Sequence, residues 1–353
     1  VSLTTEATPA ATAGRAPADL RRRRTRRSAT VLGCGVALLL VLAMLALTLG
    51  AAGLTPRQVL LALTGAGESS EVFVMRRLRL PRVLAAVAAG AALGTAGALF
   101  QSTLRNPLAS PDILGISAGA SLGAVCALLG LGLTGAAVAG FAGVGALATA
   151  LAIWLFAWRQ GLHGIRFVLV GIGFAYLATS LISWLLTRAE VRDAAGALLW
   201  TVGSVGDVRG PRLTLLLASV AVLLPLALRQ HARQRILALG DDHARGLGVA
   251  ADRSRASALL LGTALVAAAA SVAGPVPFVA LVAPAIARGL LDDGGPALAT
   301  SGLVGASLML GGDVIGQHAL PFQLAAPVGI VTGIIGAPYL IWLLARTGRG
   351  TSR

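Results

Sequence analysis

Apolar residues run along this chain in long uninterrupted blocks, unlike the one-faced or alternating patterns of soluble elements. Val31 to Gly50, Val83 to Leu104 and Phe167 to Thr187 carry no charge, and neither does the longer block from Ile113 to Trp158. Spanning a bilayer takes about 20 mostly apolar residues as a helix, or about 10 alternating residues as a barrel strand. None of the blocks alternates, so they predict helices. The longest divides into two at the glycine-rich turn near Gly130 to Gly135.

The second half contains four uncharged runs: Leu213 to Leu228, Ala256 to Ala287, Ala297 to Gly312 and Val314 to Ala345. Proline lacks a backbone donor and clashes with the preceding turn. Pro275 and Pro277 therefore cut the second run, and Pro321 and Pro327 cut the last. The expected spans are 213–229, 255–273, 277–290, 298–316 and 327–345, giving about ten in all. Residues 277–290 are short for a crossing and predict a tilted or half-buried helix packed in protein. The fold class expected is all-α, a polytopic membrane protein.

Composition agrees, with 56% hydrophobic and only 12% charged residues, far from the balance of a soluble domain. The 29 basic residues are all arginine. The run "RRRRTRR" at 21–27 places the N-terminus on the cytoplasmic side, and an even number of crossings returns the C-terminus there. Residues 1–28, rich in Ala, Thr and Pro before those arginines, predict a disordered basic tail rather than a cleaved signal peptide. Residues 29–346 form the transmembrane domain, and 347–353 a short cytoplasmic tail. A net charge of +15 invites a nucleic-acid reading, but the arginines are dispersed at span edges with no aromatic stacking platform.

Chemistry-bearing residues are few. Cys34 and Cys126 fall inside spans and read as buried thiols. His163, His231, His243 and His318 are scattered, so no metal site is expected. No GxxxxGK[ST] loop is present to cradle a nucleotide, so if transport is active, ATP and Mg belong to another polypeptide.

"RNPLASPDILGISAGASLG", from Arg105 to Gly123, is the most punctuated stretch. Asn106-Pro107 and Ser110-Pro111 forbid a continuous helix, and such irregular backbone is tolerated near a bilayer only where protein or water satisfies it. Gly115, Gly119 and Gly123 then open a face for close helix approach.

The segment Arg77 to Val125 closely resembles the permease subunits of iron-siderophore and cobalamin ABC importers, the FecCD-type family. It shows their RLPR, a glycine-rich span, Q, NPLA, P, LG and GA in order. Three further segments resemble that family: "LALGDDHARGLGV" at 237–249, "GPVPFVALVAPAIARGL" at 274–290 and "PVGIVTGIIGAPYLIWLL" at 327–344. The likeness covers about residues 31–346. It implies a type II ABC importer permease fold in a bacterial cytoplasmic (inner) membrane. It also implies a second permease copy or homologous subunit, two cytoplasmic ABC ATPase subunits and an extracytoplasmic binding protein delivering a ferric-siderophore-type substrate. Cobalamin or haem is the alternative cargo, and the chain itself would be no enzyme.

The resemblance assigns residues to roles. Asn106, Pro107, Pro111 and Gly115 belong to the family's motif turn. Residues 236–249 would be the ATPase-coupling segment, comprising Leu239, Gly240, Asp241, Asp242, Ala244, Arg245, Leu247 and Gly248. Acids at its start and Arg245 near its end suit a short helix, with Leu239, Ala244, Leu247 and Val249 as apolar anchors; a solvated connecting loop is the plainer reading. Arg76, Arg77, Arg79 and Arg82 sit on the outer side against the charge bias. They would receive an acidic patch on the binding protein, or else snorkel to lipid headgroups. Tyr176, Thr179, Ser180 and Ser183 on the fifth span would line the translocation path, or merely pack helices.

Three positions depart from the family pattern: Ala285 where a histidine usually follows Pro284, Gln317 where an arginine follows Asp313, and Ala325 where an acid precedes the last span. Asp313 itself, at the edge of the ninth span, needs a partner or water, and structural hydrogen bonding is favoured over an ion site. An ion-driven carrier or a membrane-embedded enzyme would need intramembrane carboxylates or a convergent catalytic set, neither of which is visible.

Overall fold

A computed structural model describes residues 15–50, 53–157, 164–292, 294–320 and 325–348. Among these, seven helices are long and apolar enough to cross a membrane, and three shorter apolar helices accompany them at Ile116–Gly130, Val279–Leu291 and Val328–Trp342. The expected spans therefore correspond one for one, including the short helix at 277–290.

The first is α1 (Arg15–Thr48). It begins well before the apolar block, so residues 15–28 are helical and not the disordered tail expected; residues 1–14 lie outside the described residues. Arginine and alanine are strong helix formers, and the basic run is continuous with an apolar helix that supplies its nucleus. Cys34 on α1 is exposed, not buried as expected, because this helix packs mainly on one neighbour and leaves its remaining faces open. Next comes α2 (Pro56–Thr64), which starts with a capping box between Thr55 and Gln58 and Pro56 in its first turn, a start signal legible in the sequence.

α3 (Ser69–Phe73) passes through a π turn at Val74–Arg79 into α4 (Leu80–Thr103) without a break. Arg76, Arg77 and Arg79 thus lie inside a continuous helix. After the turn at 104–115 come α5 (Ile116–Val125), a second π turn at Cys126–Gly130, and α6 (Ala136–Ala157). Then follow α7 (Gly164–Arg188), the unforeseen α8 (Val191–Val202), α9 (Gly210–Arg229), α10 (His231–Leu237) and α11 (Asp241–Gly246). The series closes with α12 (Ala251–Ala273), α13 (Val279–Leu291), α14 (Leu298–His318) and α15 (Val328–Gly348). α15 takes in the first two residues of the expected C-terminal tail, and 349–353 lie outside the described residues.

α4 is the centre of the bundle, with α9, α12, α13 and α14 packed around it. Apolar side chains gain little from leaving lipid, so spanning helices associate by close van der Waals contact, and small residues make that contact possible. A Cβ on Gly94 would sit 2.1 Å from the Ser301 carbonyl oxygen of α14, and one on Gly97 would sit 1.8 Å from the Ala280 carbonyl oxygen of α13. The expected open face on α5 is used the same way, since added Cβ atoms at Gly119 and Gly123 would strike α6 at Thr149 and the Phe141 carbonyl.

Replacing Gly97 with Val should destabilise the folded protein by about 3 kcal/mol or more, because backbone would have to move. Gly173→Ala, where nothing lies within 4 Å, should leave thermal unfolding in detergent within experimental error. Equal midpoints for the two variants would refute the close-packed centre.

Candidate coupling helix and charge clamps

α4 carries an ionic clamp at each end. At its start, Arg82 donates two hydrogen bonds to Asp313 of α14, Nε to Oδ2 and Nη2 to Oδ1, each 2.8 Å. Gln317 Nε2 donates to the same Oδ2 at 2.7 Å. Asp313 has a side chain only 3% exposed against 26% for Arg82, so the fork satisfies a carboxylate that membrane burial would otherwise penalise. The partner expected for Asp313 is thereby found. Gln317, one turn on, adds a neutral donor where the family pattern has a cation.

The other arginines of the proposed docking patch have differing surroundings. Arg79 Nη1 donates to the carbonyls of Leu47 and Thr48, capping the end of α1, where cations suit the helix dipole. Arg76 Nη2 donates to the Leu63 carbonyl of α2. Arg76 and Arg77 are both exposed. Arg79, Arg82, Arg209, Asp313, Gln317 and His318 share the wall of one open cavity of about 340 Å³.

At the far end of α4 the motif turn leads to the second clamp. Asn106 Oδ1 accepts from the Leu108 N–H, and the Ala109 N–H donates to the Asn106 carbonyl, with Pro107 between them; this is an Asx turn pre-set by proline. The Ile116 N–H bonds the Pro111 carbonyl, and Gly115 adopts φ 75°, a conformation only glycine takes without strain. A Cβ there would also lie 2.8 Å from the Ala175 nitrogen of α7. Asp112 accepts from the Ser117 hydroxyl. Arg105, itself at φ 49°, sends Nη2 to the Leu237 carbonyl at 2.7 Å and to Asp241 Oδ1 at 3.0 Å.

Asp241 also takes both oxygens of its carboxylate to Arg255 of α12. The Arg255 hydrogen bond holds the Asp241 carboxyl below the usual carboxylate range against partial burial, with the charges of Arg255, Arg105 and Arg245 adding to it. Three segments, the end of α4, α11 and the start of α12, are thus tied through one carboxylate. No role for Arg105 or Arg255 was legible in the sequence, since nothing in the spacing 105, 241, 255 announces a triad.

α11 presents one face outward. Leu239 just before the helix and Leu247 just after it are each 62% exposed, Asp242 and Arg245 within it form an exposed pair at 3.3 Å, and Gly240 (φ 109°) and Gly248 (φ 78°) make the turns at its ends. Ala244 is fully buried and packs with Leu237, Ala251, Ile236 and Val249. Ala244 and Val249 therefore anchor the helix to its own protein, contrary to the expectation that they face a partner. A six-residue helix must turn one side inward to stay attached, and Ala244 is on that side.

Tyr176, Thr179, Ser180 and Ser183 follow one face of α7 at helical spacing and all are exposed; Thr179 Oγ1 is bonded to the Ala175 carbonyl. Ala285 is half-buried on α13, and Ala325 is exposed just before α15. Nothing in the structure explains either substitution.

Among the described residues, ten apolar helices packed through glycine and alanine, with a short clamped helix at one end, make the fold of a polytopic membrane protein. The chain belongs to the FecCD transport family, which it matches over residues 38–346. It is 40% identical to the ferric enterobactin transport system permease protein of Escherichia coli (strain K12), over 85% of this chain and 91% of that one. It is 36% identical to the vitamin B12 import system permease protein of Klebsiella pneumoniae, over 94% of this chain and 98% of that one. Among solved structures it resembles an inward-facing conformation of a metal-chelate type ABC transporter, with a TM-score of 0.78, 25% identity and coverage of 90% and 98%.

The clamps lead to two expected outcomes. Asp313→Asn should cost about 2 kcal/mol, below the 3–5 of a fully buried pair because Arg82 is partly solvated. The double variant Arg82→Met, Asp313→Leu should recover most of that loss; simple additivity in thermal unfolding would mean the pair is not coupled. For Asp241, whose folded pKa is depressed, the stabilisation is fully present above the ordinary carboxylate value near 4 and is lost as pH falls through the lower folded value. Amide exchange of residues 241–249, corrected for intrinsic rate, should be steady from neutrality to about pH 5 and accelerate only below about pH 4. In Asp241→Asn it should be fast throughout, and a wild-type profile that stays flat into strong acid would contradict the clamp.

Proposed function

We propose that this chain is the transmembrane subunit of an ATP-driven importer whose cargo is a ferric siderophore. The observation that carries the reading is α11, held rigidly by the Arg105, Asp241, Arg255 clamp while offering Leu239, Leu247, Asp242 and Arg245 to a partner. A short amphipathic helix on a firm base is suited to seat in a groove of a cytoplasmic ATPase, which would bind ATP and Mg in place of this chain. Relatives named for ferric enterobactin and achromobactin support an iron chelate as cargo. Vitamin B12 permeases at similar identity keep a cobalamin as the second reading.

In this reading the α11 end faces the cytoplasm of a bacterial inner membrane, both termini lie on that side, and the Arg82, Asp313 end faces outward. Arg77, exposed at that outer end, and the open cavity beside Arg79 and Arg82 would meet an acidic surface of a binding protein, aided by charge steering. The polar face of α7 would line the path between two permease copies, since hydroxyl groups are poorly placed against lipid. ATP binding would shift the helices between two states through α11 and its clamp. The chain performs no covalent chemistry.

Co-reconstituted with its ATPase in liposomes, the protein should import ferric siderophore in an ATP-dependent way. Leu247→Arg should reduce transport about a hundredfold while leaving the unfolding midpoint within a degree or two, because the exposed face contacts only the partner. Transport that persists without ATP, or that survives Leu247→Arg intact, would overturn the coupling role.

A further inference from the structure

The carboxyl of Asp112 has no part in either clamp or in the exposed face of α11. It lies in the turn at 104–115, outside the spanning helices, where several elements meet. Its Oδ1 accepts from the Ser117 hydroxyl of α5 at 2.5 Å, and the backbone N–H of Phe278, at the start of α13, also bonds it. Oδ2 is buried and has no hydrogen-bond partner among the described residues. Phe278 is the N-cap of α13 and holds φ 68°, a left-handed conformation costly for a bulky residue. Its side chain packs on α15, where a Cβ on Gly336 would lie 2.3 Å from the Phe278 Cβ. One carboxyl thus joins the turn to α5 and α13 and, through Phe278, neighbours α15.

The charged groups around it are engaged elsewhere. Arg105 of the turn is held by the Leu237 carbonyl and Asp241, Arg82 of α4 by Asp313, and Arg288 of α13 is bonded to Gln101. Tyr339 of α15 lies by Arg288. α7 carries Arg166, Tyr176 and Arg188, and α5 has no titratable side chain. None of these acts on the Asp112 charge. Burial does, and it raises the pKa from 3.8 to about 6 against the hydrogen bonds of Ser117 and the Phe278 N–H. An ionised carboxylate with one oxygen buried and unbonded is costly. A proton removes that charge, and the oxygen pair at 2.5 Å keeps its hydrogen bond with the roles reversed, Asp112 donating and the Ser117 hydroxyl accepting.

We infer that Asp112 is a binding site for one proton, whose occupancy sets how firmly the motif turn holds the starts of α5 and α13. The site stands independently of the importer reading, since it needs neither an ATPase nor a cargo. Because the folded pKa is the raised one, the contribution to stability is full in acid and is lost as pH rises through about 6. The Asp241 clamp fails only in stronger acid, so the two windows are separate.

The test uses the purified full chain in nanodiscs. Infrared difference spectra between pH 8 and pH 5 should show the C=O stretch of a protonated carboxyl growing with a midpoint at about 6, above the range near 4 of ordinary carboxylates. Asp112→Asn, neutral at every pH, should abolish that component. Ser117→Ala removes a hydrogen bond that favours the charged form and should move the midpoint upward.

Amide exchange at 113–118 and 279–282, corrected for intrinsic rate, should be about tenfold slower at pH 5 than at pH 8, the ratio that a rise from 3.8 to about 6 sets over this range. In Asp112→Asn it should not vary between those pH values. Wild type and Ser117→Ala decide the matter alone should Asp112→Asn fail to fold. A midpoint at or below about pH 4, a band retained in Asp112→Asn, a midpoint unmoved in Ser117→Ala, or equal wild-type exchange at both pH values would overturn the assignment.

Discussion

Everything in this protein is arranged around the fact that α4 must touch its neighbours backbone to backbone. Helices already in lipid gain little by burying apolar side chains against one another, so contact has to come from shape. Gly94 and Gly97 bring α4 against α14 and α13 at separations no larger residue permits. Alanine is the commonest residue of the remaining core, and its lack of side-chain entropy means that little freedom is lost when the helices meet. Interiors of this kind are stiff, and stiffness lets a displacement at one end reach the other.

The two clamps give that rod its terminals. Arg82 with Asp313 fixes α4 to α14 at one end, while Arg105 with Asp241 and Arg255 fixes it to α11 and α12 at the other. Both use a carboxylate shared by more than one donor, and both tie residues remote in sequence. α11 and the end of α4 are joined by charge-assisted hydrogen bonds rather than by a slack loop. The strained Arg105 backbone persists because its guanidinium is held by two acceptors.

The helices were legible because their signal is crude: a run of apolar residues long enough for a bilayer, cut by proline. Even the short α13 could be drawn from Pro277 and the next charge. What periodicity could not supply was the start of α1, where helix-forming arginines extend an apolar segment into water, or α8, a modest helix between spans. The site was read less completely. Gly240, Gly248 and the acids of α11 were visible, but which face of α11 turns inward depends on Leu237 and Ala251, and pairings at separations such as 82 to 313 leave no local trace. Gln317 reads as a defect in the sequence and as a hydrogen-bond donor in the fold.

The π turn at Val74–Arg79 separates two regions with different histories open to them. One residue added to a helix rotates the segment before it by about 100° relative to the segment after it. Below the turn, α4 is locked by glycine contacts and can scarcely vary. Above it, α3 and α2 are aimed independently, so the cap they form can be re-pointed toward a different surface by moving or deleting that single residue. Selection can thus retune what the cap meets while the transmembrane core is inherited unchanged.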